Sequence, residues 1–231
     1  MMKACGHSCL GESFVNKFRL ATITPQIVPA PRRVTSAQQY FEQYNHVIAN
    51  LPYATIDQVA AKLLRVYENG RAIFLFGNGG SAALASHIAC DLGKGTLVQG
   101  NSCKRFRVLP LTDNVPLLTA WANDSSYERI FAEQLRNFIA PNDVAFAISG
   151  SGNSPNVVQA LEVAKDAGAL TVGLTGFQGG KVKALCDLCI VVPSDNMQII
   201  EDFHVGVAHA LFTVVCETIH AQHASAVCAG D

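Results

Sequence analysis

The chain has 231 residues, of which 49% are hydrophobic and 15% charged, and a formal net charge of -1 at pH 7. This length suits one large domain or two small ones, and the apolar share is enough to fill a core. The near-neutral balance, without a dense Lys/Arg run, leaves no electrostatic footprint for nucleic acid or an anionic membrane, although a local cradle can still hold a small anion.

Residues 1–34 carry Gly, Pro and Ser without periodicity, and Pro25, Pro29 and Pro31 argue against a long helix there. They read as an N-terminal extension to a domain over residues 35–225. No continuous apolar core leads to a small-residue cleavage site, so a secretory signal is not expected. Lys3, Lys17, Arg19, Arg32 and Arg33, set against Glu12 alone, leave an organelle transit peptide open beside the simpler reading of an ordinary extension. Cys5, Cys9, Cys90, Cys103, Cys186, Cys189, Cys216 and Cys228 are scattered, mostly among apolar neighbours. That pattern favours reduced thiols in a cytosol-like compartment.

Apolar residues recur at helical spacing from Ser36 to Asn50 and from Thr55 to Glu68, with Leu51-Pro52 as the break, which predicts an antiparallel helical pair. Short apolar runs then alternate with helical segments: Ala72–Phe76, Phe106–Leu111, Val144–Ile148, Leu170–Leu174 and Leu188–Val192. This alternation predicts an α/β three-layer sandwich, a five-stranded parallel sheet flanked by helices on both faces. A long helix from about Gln198 to Gln222 ends the domain. Its most apolar part, Val205 to Cys216, is interrupted by His209 and falls short of the roughly 20 residues that span a bilayer, so no transmembrane segment is expected.

Two Gly/Ser-rich segments fall at strand ends, where open parallel sheets bind ligands. Gly77-Asn-Gly-Gly-Ser81 turns a strand into a helix, with Asn78 and Ser81 as side-chain donors beside free N–H groups that suit an anion. Ile148-Ser-Gly-Ser-Gly-Asn-Ser154 can offer the hydroxyls of Ser149, Ser151 and Ser154 to one phosphate, with Ser154 near a helix cap and Pro155 in the first turn. Neither segment has the Gly-Lys-Ser/Thr of a P-loop, and no acidic residue stands where a dinucleotide site needs one, so a nucleotide cofactor is disfavoured.

His87 and Asp91 stand four residues apart on one helical face. Alone they fit a surface contact better than a metal site; Glu201 and His209 strengthen the metal reading, because zinc takes imidazole nitrogen and carboxylate oxygen. Eight helical residues rise roughly 12 Å, so Glu201 and His209 must lean together to share an ion. His204 is an alternative ligand, against the reading of a hydrogen-bonded histidine in a buried helix. Cys186-Asp-Leu-Cys189 lacks a partner pair and reads as structural. Lys94 either supports a phosphate or is simply solvated.

The ordered set Gly77-Asn-Gly-Gly-Ser81 with His87 and Asp91, Ala122-Asn-Asp124, Ile148–Ser154, Leu174-Thr-Gly-Phe-Gln-Gly-Gly180, and Ile200-Glu-Asp-Phe-His204 through His209 resembles the sugar isomerase (SIS) domain family, closest to its phosphoheptose isomerases. The resemblance spans about Ala37 to His220. It implies interconversion of sedoheptulose 7-phosphate and D-glycero-D-manno-heptose 7-phosphate by a cytoplasmic homotetramer, with zinc as cofactor and active sites at subunit interfaces. It further implies phosphate contacts from Ser149, Ser151 and Ser154, sugar contacts from Asn78, Ser81 and Asp124, further substrate contacts from Gly79, Asn123, Gly150 and Glu201, and metal ligation by His87, Asp91, Glu201 and His209. Asp91 and His209 would be the base and acid of an enediol route.

The chain departs from that family's usual pattern at two positions, with Asp91 in place of Glu and Glu201 in place of Gln. The shorter carboxylate sets its oxygen back by about one C–C bond, and the added charge of Glu201 strengthens metal binding. Noncatalytic phosphosugar-binding regulators share the fold, among them a partner of the bacterial replication initiator, and Leu111-Thr-Asp-Asn-Val115 resembles that branch. Retention of His209 favours the enzyme.

Overall fold

A computed structural model describes residues 34–98 and 104–228. Cys5, Cys9, Cys103 and residues 1–33 of the expected extension therefore lie outside the described residues. Five parallel strands, β1 (Ala72–Gly77), β2 (Arg107–Pro110), β3 (Val144–Ser149), β4 (Leu170–Thr175) and β5 (Leu188–Val191), form one sheet in the order β2-β1-β3-β4-β5. β1 and β3 are buried throughout, which is why they read as continuous apolar runs rather than alternating ones.

Side chains alternate across the sheet. Ile73 and Leu75 of β1 face one core cluster with Phe146, Val172 and Ile190, covered by α2 (Tyr53–Glu68), α3 (Gly80–Cys90) and α8 (Met197–Cys228). Ala72, Phe74 and Phe76 face the other, covered by α5 (Ala132–Phe138) and α6 (Pro155–Asp166). α4 (Val115–Asp124) and α7 (Gly180–Leu185) complete that side, with Leu118 and Val182 packed on the same cluster. The three-layer expectation is met. β2 is shorter than the apolar run suggested, because Phe106 leaves the strand to pack on Tyr67 with ring centroids 4.9 Å apart.

The N-terminal helices occur where expected, α1 at Ala37–Asn50 and α2 at Tyr53–Glu68, but they pack on different partners. α2 places Ile56, Val59, Ala60, Leu63 and Val66 into the main cluster beside α8. α1 instead sets Val47 among Val192, Ile199, Ile200 and Phe203. Tyr40 and Tyr44 both donate to Oδ2 of Asp202, Tyr44 at 2.6 Å. Burial and then that carboxylate push the Tyr40 phenol up to about 12.

α8 exceeds the apolar stretch read from the sequence. Met197–Ser225, with mean hydropathy 1.5, is long and apolar enough to cross a membrane by length and composition. Val207, Ala208, Leu211, Val215 and Ile219 nevertheless sit in the main core cluster, so its apolar character is accounted for by packing on the sheet. Cys90, Cys186, Cys189 and Cys216 are free thiols. Burial pushes the Cys186 and Cys189 thiols up, away from the thiolate, which suits the structural reading of that pair.

Asp143 ties the amino end of the sheet together. Its buried carboxylate accepts from Ala72 N at 2.9 Å and Ala140 N at 2.9 Å. Asp143→Ala strips one buried and one part-buried amide of their partner and is expected to cost about 2–3 kcal/mol in urea unfolding, on the order of 1–2 per amide.

Candidate active site

The site lies at the carboxyl ends of β1 and β3, where two loops meet. β1 must end in glycine: a Cβ on Gly77 would come within 2.6 Å of Ile148 O and 2.7 Å of Ser81 Cβ. The chain then turns through Asn78 and Gly79 into α3. Ser81 is buried against that turn.

The second loop leaves β3 at Ser149, which is only 5% exposed. Ser149 Oγ accepts from Gly152 N at 3.2 Å and lies 3.4 Å from Ser154 Oγ, while Ser151 Oγ accepts from Asn153 N at 3.2 Å. Ser154 caps α6, with Pro155 in its first turn. Its hydroxyl makes no cap bond and points instead to Ser149, so two of the three expected serines converge beside an open helix N-terminus. Gly150 is backed by Met197, whose Sδ would stand 2.5 Å from a Cβ there.

Asn156 joins the two loops, a role that nothing in its sequence context assigns. It is 1% exposed and exchanges amide hydrogen bonds with Asn78 at 2.8 and 2.9 Å, while Tyr127 OH donates to Asn78 Oδ1 at 3.0 Å. Asn78 is therefore held from two sides. The only signal in the sequence was a polar residue at a core-facing position of the α6 periodicity, directly after Pro155.

His87, Asp91 and His209 meet across α3 and α8. His87 Nε2 lies 2.8 Å from His209 Nε2 and 3.3 Å from Asp91 Oδ2, and one ligand atom from each residue falls within 4.8 Å of the others. Asp91 opens a π-helical turn, Asp91–Gly95, of a kind that recurs at functional sites. Ligands on a tetrahedral zinc stand roughly 3.3 Å apart for bonds near 2.0–2.1 Å. Two imidazoles and one carboxylate offer donors of the kind such an ion takes.

Three of the four expected ligands are brought together here; Glu201 is not in this group among the described residues. The helical rise between Glu201 and His209 keeps them apart, as the spacing warned. The Glu201 carboxylate stands instead over the start of α3, 3.8 Å from where a Gly80 Cβ would be. His204 is no ligand either: it is 1% exposed and hydrogen-bonded to the Thr175 main chain. Asn123 and Asp124 bond to each other at 2.8 Å on exposed ground at the end of α4. They follow Ala122, which lines a 180 Å³ pocket with Asn78, Gly79, Thr112 and Tyr127. Lys94 is exposed on the π-helical turn.

Burial holds the His204 imidazole down at about 4, against an ordinary 6.5. Between those values the unfolded chain binds more protons than the folded one, so stability is full above about pH 6.5 and is lost as pH falls toward 4. The loss approaches on the order of 3 kcal/mol. Urea unfolding at pH 7.5 and 4.5 should show it, and His204→Phe should flatten the slope between the two.

A SIS domain family model matches residues 39–176, and the chain belongs to that family. The fold and the two loops thus define a phosphosugar-domain architecture. Within the family the chain is 43% identical over 171 residues to the phosphoheptose isomerase of Aneurinibacillus thermoaerophilus, covering 71% of this chain and 81% of that one. It is 37% identical over 169 residues to the phosphoheptose isomerase of Trichlorobacter lovleyi, covering 70% and 81%. The structure of a phosphoheptose isomerase from Francisella tularensis superposes with a TM-score of 0.72 at 28% identity, covering 78% of this chain and 96% of that one. That of Neisseria gonorrhoeae gives 0.69 at 28%, covering 81% and 100%.

Proposed function

We propose that the protein is an aldose–ketose isomerase interconverting sedoheptulose 7-phosphate and D-glycero-D-manno-heptose 7-phosphate. What supports this reading is a serine-lined helix terminus after β3 together with a His87, Asp91 and His209 group whose first two members lie on and just after the helix that follows β1. Ser149, Ser151 and Ser154 bind the phosphate at the α6 N-terminus, fixing the far end of the substrate so that binding energy orients the reacting carbons. Asn78, locked by Asn156 and Tyr127, presents its remaining polar capacity to the sugar, with Glu201 opposite.

Asp91 removes the carbon-bound proton at C1 of the ketose, His209 passes a proton between the two oxygens, and Asp91 returns a proton to C2 of the enediol to give the aldose. In the resting state, before Asp91 and His209 take up their proton-transfer roles, His87, Asp91 and His209 would hold a divalent ion, zinc by their donor chemistry. When bound, that ion supplies Lewis-acid polarisation of the carbonyl.

The reading extends to a cytoplasmic homotetramer whose sites are shared between subunits. Supporting this, α8 exposes Val205 and Val214 on either side of His209, and Gly206 meets nothing within 4 Å. Metal analysis of purified protein with a sedoheptulose 7-phosphate assay tests the proposal: turnover should fall on chelation and return with zinc. A metal-free, inactive tetramer that bound a protein partner would establish the regulator instead.

A further inference from the structure

At the opposite, amino-terminal end of the sheet lies a second cavity of about 610 Å³. It opens where α2 ends and β1, β4 and β5 begin, lined by Lys62, Arg65, Asn69, Arg71, Asn142 and Asp187. Three cations thus face one space. The ion pairs among the described residues join His87 to Asp91, and Arg129 and Arg136 to Glu133; none engages Lys62, Arg65 or Arg71. Asp187, the acid on the wall, is held in place by Thr171 N at 2.8 Å and Thr171 Oγ1 at 2.9 Å on its Oδ2, so the lining keeps an excess of two positive charges.

Arg65 lies in the last turn of α2, where it offsets the negative end of the helix. Lys62, one turn earlier, and Arg71, on the way into β1, have no such duty. Like charges converging on a concavity raise its positive potential and draw in anions. The wall is formed in part by the loops that lead into β3 and β4, tied together where Asn142 N donates to Gly168 O at 3.0 Å, so the cavity is built from hydrogen-bonded backbone.

We propose that this cavity binds a compact anion carrying at least two phosphoryl groups, such as diphosphate or a sugar bisphosphate. Guanidinium forks match phosphate oxygens in pairs, and the volume falls within the range of small-molecule sites. No aromatic side chain lines it, so a base has nothing to stack on, and an oligophosphate without a base fits better than a nucleotide. The N-terminal arm is no candidate occupant, since it carries Lys3, Lys17, Arg19, Arg32 and Arg33 against Glu12. β1 separates the cavity from the isomerase site by roughly 16 Å of strand, so the two anions do not compete.

Titration calorimetry of the full chain with inorganic diphosphate tests the site. One diphosphate should bind per subunit, more tightly than monophosphate. Arg65→Gln and Arg71→Gln should each weaken it by about tenfold, with basal isomerisation unchanged. Ser151→Ala with Ser154→Ala should leave diphosphate binding intact. The proposal is overturned by absence of binding, or by binding that survives both arginine changes and disappears with the serines, which would place the anion on the phosphate loop.

Discussion

Asp91→Asn should lower kcat for the heptulose phosphate by about 10²- to 10⁴-fold, the range for loss of a positioned general base, with little change in melting temperature. Asparagine keeps the size and planarity of the side chain but cannot accept the C1 proton. Asp91 is partly exposed and lies 3.3 Å from His87 Nε2, so its replacement disturbs no buried packing. Phosphate affinity rests on the other loop and should persist, so KM should move far less than kcat. An unchanged kcat would remove Asp91 from the chemistry.

Gly152→Ala should cost on the order of 3 kcal/mol and disorder the phosphate loop. Its φ of +65° penalises any Cβ by about 1–2 kcal/mol, and that Cβ would stand 2.1 Å from Gly179 O, adding overpacking of about 1–3 kcal/mol. Neither neighbour can yield easily, because Val182 N donates to Gly152 O at 3.0 Å and Gly176 N to Gly150 O at 2.9 Å. The loops after β3 and β4 therefore move together or not at all. A denaturation midpoint equal to that of the parent protein, with full substrate affinity, would contradict this account of the loop.

Much of this arrangement is legible in residues whose role is local. Continuous apolar runs such as Ala72–Phe76 mark strands buried on both faces, and Gly77 and Ser154-Pro155 mark where strands give way to helices. His87 and Asp91 declare themselves by helical spacing alone. What escapes is set by tertiary partners. Asn156 bonds to Asn78 across 78 positions of sequence, and no periodicity points at that contact. Likewise α1 and α2 carry the pattern of a pair, yet Tyr40 and Tyr44 draw α1 to Asp202 while α2 follows the sheet. Glu201 and His209 lie on one helix, but the axial rise between them decides that only His209 reaches the His87 group.

The proposed isomerisation turns on proton transfer between C1 and C2 of a seven-carbon sugar phosphate by Asp91. Incubation of the zinc-loaded protein with sedoheptulose 7-phosphate in D2O, followed by proton NMR, tests it most directly. The expected result is an aldose heptose 7-phosphate bearing deuterium at C2, ketose that gains deuterium at C1 on reversal, and neither label in Asp91→Asn. Recovery of unlabelled ketose with no aldose formed would contradict it.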